Sequence, residues 1–285
     1  MKSSYLTNLV LLVIVIVLLW LSQREQPAEQ QPAGLSALSA EAVERIQIQR
    51  QGRDTLTLER QQQNWQLSQP FTARANQTRV NLLLSLLSSP VHGQQPATDE
   101  SALVKFGLKQ PDVTIVMNDQ SFAFGATESL SQNRYVLHQN VVYLVQDDVT
   151  PLLKASAGSF VDNRLVEEGV SIDKLALPAS NEMDEQRLIE QRDGRWHSDN
   201  GSASSDRLKT VVDNWQHAYA MQVRYLDAGQ LDKLPEPQIT LWLEGESAPL
   251  QLIMTLRGET LQLTNPALQL QYDFPLAMQS QLLLQ

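Results

Sequence analysis

Pro111-Asp112-Val113-Thr114-Ile115-Val116-Met117 and Pro237-Gln238-Ile239-Thr240-Leu241-Trp242-Leu243 align without a gap. Apolar side chains recur at every second position of both, the pattern of a strand with one buried face. A polar turn follows each, Asn118-Asp119 and Glu244-Gly245, and then further strand-like runs. In the first copy these are Phe122-Ala123-Phe124, Arg134-Tyr135-Val136-Leu137 and Val141-Val142-Tyr143-Leu144-Val145. In the second they are Leu250-Gln251-Leu252-Ile253, Thr260-Leu261-Gln262-Leu263 and Leu268-Gln269-Leu270-Gln271-Tyr272. Each copy ends on a Pro-Leu step, Pro151-Leu152 and Pro275-Leu276, where proline suits the first turn of a helix.

The correspondence extends upstream. Ile46-Gln47-Ile48 and Leu56-Thr57-Leu58 alternate, Trp65 and Leu67 follow, and Asn76 caps a helix carrying Val80, Leu83, Leu84 and Leu87 at i, i+3, i+4, i+7. The second copy offers Leu175 and Leu177, Leu188-Ile189 and Trp196, then Ser205 as cap and Leu208, Val211, Val212 and Trp215 at the same helical spacing. An ordered set of this kind predicts a duplicated unit. The fold class expected is α+β: an N-terminal transmembrane helix followed by two similar modules, each a mostly antiparallel sheet packed on an amphipathic helix. The expected boundaries are an anchor over 1–22, a flexible stalk over 23–43, a first module over 44–160, a connector over 161–170 and a second module over 171–285. Trp65 and Trp196 read as core anchors beneath the helix rather than as ligand-stacking rings.

The anchor is read from Leu9 to Leu21, thirteen uninterrupted apolar residues, which Tyr5, Leu6 and Thr7 extend to a span of residues 5–21 in the lipid bilayer. Trp20-Leu21-Ser22-Gln23-Arg24-Glu25 is a poor signal-peptidase site, so the segment reads as uncleaved. The short tail bearing Lys2 favours an N-in arrangement, a single pass through the inner (cytoplasmic) membrane with the C-terminal domain periplasmic. Gln23 to Ala40 is rich in Gln, Pro, Ala and Glu and too poor in large apolar side chains to fold by itself. Leu35 to Val43 is expected to begin a short helix, with Ser39 as its cap.

Composition narrows the function classes. The 285 residues carry 22 Lys+Arg against 32 Asp+Glu, a net charge of −10 that argues against nucleic acid as a partner. The absence of cysteine excludes disulfides, a thiol nucleophile and thiolate zinc sites. None of His92, His138, His197 and His217 stands at metal-ligand spacing from another. His197, within Trp196-His197-Ser198-Asp199-Asn200-Gly201, reads as part of a solvated turn. Asp147-Asp148 reads as a helix cap before Pro151, and Ser156-Ala157-Gly158-Ser159 lacks the context of a nucleophile elbow. Glu167-Glu168 reads as connector rather than as a glycosidase pair. Phe160-Val161-Asp162-Asn163-Arg164-Leu165-Val166 reads as a hinge packed by Phe160 and Leu165, the alternatives being an inter-module ion pair through Arg164 or a docking surface. No catalytic residue, cofactor or metal site is predicted, and no enzyme.

The residues also carry a family likeness. Trp65, Leu67, Pro70, Ala75 and Asn76 form a W-x-L-x-x-P-x-x-x-x-A-[DN] pattern; Phe106, Gly107, Leu108 and Pro111 form F/Y-G-L-x-x-P; Tyr135-Val136 and Val142-Tyr143-Leu144-Val145 complete it. Over about residues 44–166 the chain resembles the bacterial domain of unknown function 4340. Such proteins are similar to accessory components found with ABC transporters of the gliding-motility type. The resemblance implies an envelope-facing, non-catalytic accessory subunit whose partners are the membrane permease and extracytoplasmic subunits of an ABC transporter. It supplies no catalytic residue. The alternative is a stand-alone envelope module that binds a polymer or peptide.

Overall fold

The structure, a computed structural model, describes residues 12–15, 34–179, 182–199, 201 and 203–284. Its first sheet is built from β1 (Arg45–Arg50), β2 (Leu56–Gln61), β3 (Asn64–Gln69), β4 (Ala73–Arg74), β5 (Val91–Pro96), β6 (Val113–Met117), β7 (Gln120–Thr127), β8 (Arg134–His138) and β9 (Val141–Val145). The order across it is β4-β3-β2-β1-β6-β7-β8-β9-β5, antiparallel throughout. Register follows the apolar alternation. Ile46 and Ile48 face Leu58 and Leu56 on one side and Met117 and Ile115 on the other, and all six are buried. A one-residue slip would turn that stripe to solvent.

The second sheet comprises β10 (Ile172–Ala179), β11 (Glu182–Arg192), β12 (Arg195–Ser198), β13 (Gln222–Tyr225), β14 (Ile239–Leu243), β15 (Leu250–Arg257), β16 (Thr260–Asn265) and β17 (Leu270–Pro275). Its order, β12-β11-β10-β14-β15-β16-β17-β13, repeats that of the first sheet strand for strand from β3 to β5. Only β4 has no counterpart there.

The helices fall at matching points. α1 (Gln77–Leu84) follows β4, α2 (Glu100–Lys105) follows β5, and α3 (Thr150–Leu153) follows β9. α4 (Ser205–Gln216) follows β12, α5 (Ala228–Leu231) follows β13, and α6 (Gln279–Leu282) follows β17 after a 3₁₀ turn. Asn76 Oδ1 accepts the Arg79 N–H at 3.1 Å and starts α1, which buries Val80, Leu83 and Leu84; Leu87 lies in the 3₁₀ turn that continues it. The cap of α4 is Ser204, which accepts from the Arg207 N–H, and not Ser205. Ser205 Oγ instead accepts the Trp196 N–H at 3.0 Å, tying the helix start to β12.

The α+β expectation is corrected. Strand makes up 41% of the described residues and helices among them are few, so the fold is mostly antiparallel β in two sheets. The physical reason is length: α1 has 8 residues and α4 has 12, and the others have 4 to 6, so one short helix per unit rests on a sheet of eight or nine strands. The expected N-terminal transmembrane helix is not shown either. Residues 12–15 are helical, the rest of the predicted span 5–21 lies outside the described residues, and among the described residues no helix is long and apolar enough to cross a membrane.

The stalk expectation also shifts. Residues 23–33 lie outside the described residues, whereas 34–43 are packed on the first sheet. Leu35 is 2% exposed, Gly34 bridges to Pro90, and the Ser36 N–H donates to Leu87 O at 3.1 Å. The short helix there is a 3₁₀ turn over Ala40–Ala42, and Ser39 precedes it without a side-chain cap bond. One contiguous apolar core contains residues of both units, from Leu35 to Leu284.

Candidate functional site: the seam and cleft between the sheets

The connector is the piece that brings the two sheets together. On one side it adds to the edge of the first sheet beyond β4: Ala75 bridges Val161, the Asp162 N–H donates to Arg74 O at 2.9 Å, and the Asn76 N–H donates to Phe160 O at 2.7 Å. On the other side it meets the segment before β13: Arg164 bridges Tyr219, the Ala220 N–H donates to Asn163 O at 2.8 Å, and Asn163 Nδ2 donates to Ala220 O. Phe160, Val161, Leu165 and Val166 are all buried. A segment bonded along both edges is a seam, so the expected hinge is replaced by a two-sided bridge.

Charge reinforces the seam. Asp162, 8% exposed, lies 3.2 Å from Arg164 Nε and 3.8 Å from Arg74 Nη2, and Arg74 also reaches Glu167 at 3.4 Å. Arg74 Nη2 donates to Arg164 O at 3.0 Å. The Arg164 guanidinium pairs with Glu168, and that bond, ahead of the Asp162 charge, holds its pKa above the ordinary value. Arg164 therefore serves the joint from within the connector, and Arg74 supplies the charge from the first sheet. Phe71 stacks on Tyr225 of β13 at 4.5 Å, and a Cβ on Gly158 would stand 2.0 Å from Val223 O, so the two units approach to backbone contact.

Beside the seam opens a cleft of about 540 Å³. Its walls are the connector (Val161, Leu165, Glu167) with Arg74 on one side, and the β14–β15 and β16–β17 turns on the other. Leu250, Leu252, Leu270 and Tyr272 line it from β15 and β17, and Leu268 stands in the second turn. Tyr272 is 5% exposed. Burial pushes its hydroxyl pKa up to about 12; the Arg74 charge opposes the shift and the Asp162 charge adds to it. Its Oη takes no hydrogen bond among the described residues.

The other residues singled out from the sequence do not converge on this cleft. Trp65 is buried under α1 with Arg60 stacked 5.0 Å from its ring, while Trp196 is half-buried at the edge strand β12. His197 lies on β12 opposite Glu190. His138 is buried against Phe122 with Nδ1 2.9 Å from Ser121 O, and His217 sits at the end of α4 with Nδ1 2.9 Å from Asp213 O. His92 is exposed on β5. Asp147 accepts the Thr150 N–H at 3.0 Å and pairs with Arg134, a capping and bracing role. Ser156 precedes, and Ser159 lies within, the 3₁₀ turn that carries Gly158 against β13. Glu167 and Glu168 face separate arginines, Arg74 and Arg164. Among the described residues no three His, Asp or Glu side chains gather to hold a metal ion.

Sequence reasoning missed Tyr272, Leu268 and Arg74. The signal was present for two of them. Leu270 and Tyr272 stand at i, i+2 of one strand and so share a face, Leu268 precedes them in the turn, and the hydroxyl beyond the leucines marks a polar group on an apolar floor.

The family pattern has a structural meaning here. Trp65 and Leu67 are buried on β3, Ala75 bridges the connector and Asn76 caps α1, so one stretch supplies strand, seam and cap. Gly107 has φ +68° and its neighbour Phe106 packs at a tilt on Tyr135, ring centroids 4.2 Å apart, while Phe106 O accepts the Ala126 N–H at 2.7 Å. These motifs build the fold rather than a reaction centre.

Comparison with known proteins gives a family match. No curated protein and no solved structure matches the chain. The model of the domain of unknown function DUF4340 matches residues 65–234, from Trp65 on β3 through the seam to the segment after α5. That span crosses the joint; against the 44–166 over which the likeness is visible in the motifs, it begins later, at 65, and runs further, to 234. By that match over more than half its length, the chain belongs to the DUF4340 family.

Proposed function

We propose that this protein is a non-catalytic, envelope-facing accessory subunit of an ABC-type transport or export assembly. The apolar run Leu9–Leu21 holds it at the cytoplasmic membrane, and its two sheets present a binding surface on the periplasmic side. The observation that carries the reading is where the family motifs fall: Trp65, Ala75, Asn76 and Gly107 serve strand, seam and cap, the charged groups beside Trp65 and Ala75 (Arg74, Asp162, Arg164, Glu167 and Glu168) are engaged with one another in ion pairs, and the larger cleft across the seam is floored by leucines. Any ATP hydrolysis belongs to a partner. The test is affinity purification of tagged full-length protein from a detergent extract. The reading expects ATPase and permease subunits to co-purify in stoichiometric amounts, and their absence overturns it. The cleft's size also favours a second reading, a stand-alone envelope module for a peptide or polymer. That reading is supported when polymer or peptide binding survives and no transporter subunit is recovered.

A further inference from the structure

We infer that the cleft between the connector and the second sheet binds an extended peptide segment that carries apolar side chains and a flanking lysine or arginine. The cleft's volume of about 540 Å³ suits a few residues of peptide. Its floor is leucine, and Leu268 at the mouth is 49% exposed, so apolar surface stands in water that an occupant's side chains would displace.

Two further features select the chemistry. Tyr272 Oη opens onto the cleft, keeps some solvent contact and takes no hydrogen bond among the described residues, so an occupant's peptide carbonyl or amide would take the place of water on it. At the rim, Arg74 is already shared between Asp162 and Glu167, whereas Glu246 is exposed and takes no ion pair among the described residues. The rim is therefore acidic on balance. It attracts a cation and repels the phosphate or carboxylate of a lipid, although an acyl chain would fill the same leucine floor.

The inference rests on the binding role proposed above but not on the transporter. Peptide binding is measured on purified protein and co-purification in membrane extract, so either can fail alone. The experiment titrates full-length protein, in nanodiscs of phosphatidylcholine, into two fluorescein-labelled heptapeptides, Gly-Leu-Lys-Leu-Lys-Leu-Gly and Gly-Leu-Glu-Leu-Glu-Leu-Gly, with empty nanodiscs as baseline. Fluorescence anisotropy is expected to show the basic peptide binding at least about tenfold more tightly than the acidic one. Leu268→Asp and Glu246→Lys, both at exposed turn positions, should each weaken it by about tenfold while the melting temperature is retained. Tyr272→Phe should weaken it by about threefold. Equal binding of the two peptides, no binding of either, or unchanged affinity in Leu268→Asp overturns the inference. Displacement of the basic peptide by micromolar laurate, with laurate the tighter ligand, also overturns it and assigns the cleft to an acyl chain.

Discussion

The two sheets share one strand order and differ at one edge. The first carries an additional strand, β4, and the connector pairs with the residues of and just after that strand, while the second ends openly on the short strand β12. The same contrast appears in the two tryptophans, Trp65 enclosed beside β4 and Trp196 half-buried on β12. Duplication supplies two equal frameworks, and the departures from equivalence show what was added to join them. The cleft lies at that joint, so the part of the molecule that is not repeated is the part proposed to bind.

The largest expected effect tests whether the two helices carry equal weight. Trp215 occupies in α4 the place that Leu87 holds after α1. It is fully buried, and its Nε1–H donates to Leu282 O at 2.7 Å, fastening the C-terminal segment. Trp215→Ala should cost about 4–5 kcal/mol and strand that carbonyl, whereas Leu87→Ala should cost about 2–3 kcal/mol. Urea unfolding of both variants checks the difference. Equal losses would mean that α4 does not anchor the C-terminus.

Next in size is the seam. A Cβ on Gly158 would overlap Val223 O, a backbone atom of the other unit with little freedom to yield. Gly158→Ala should therefore destabilise by about 2–3 kcal/mol, and should do so by separating the units. A single unfolding transition that splits into two would mark that separation. An unchanged single transition at wild-type stability would show that the seam yields without cost.

How much of this was legible depends on how local each signal is. Strand register was legible because Ile46, Ile48 and Ile115 announce one face by alternation alone. Helix positions were legible from the Val80, Leu83, Leu84 spacing, although the cap of α4 moved from Ser205 to Ser204 because adjacent serines offer the same chemistry. The balance of α to β was misjudged, since a helical period says where a helix lies and not how little of the sheet it covers. The seam was hidden, because its bonds run from Arg74 to Arg164 and from Asn163 to Ala220 and obey no period. The cleft was half legible: the Leu268, Leu270, Tyr272 stripe is in the sequence, but its facing wall comes from Val161, Leu165 and Glu167.

The smallest effect sharpens the comparison at the cleft floor. Tyr272 is a buried ring whose hydroxyl keeps some contact with the solvent of the cleft and takes no hydrogen bond among the described residues, so an aromatic ring alone would pack as well. Tyr272→Phe should leave stability at pH 7 within about 1 kcal/mol of wild type, on the stabilising side. Alkaline pH separates the two proteins further. An unfolded tyrosine ionises near 10.0, but burial holds the folded Tyr272 proton to about 12. The folded state thus binds the proton more tightly, so its contribution is complete below pH 10 and is lost as pH rises from 10 to 12, by about 2 kcal/mol. Urea midpoints at pH 7, 10 and 12 should show wild type falling faster than Tyr272→Phe over the last interval only. If the two proteins fall in parallel, the hydroxyl is hydrated in the folded state, and the cleft floor is wetter than its leucine lining requires.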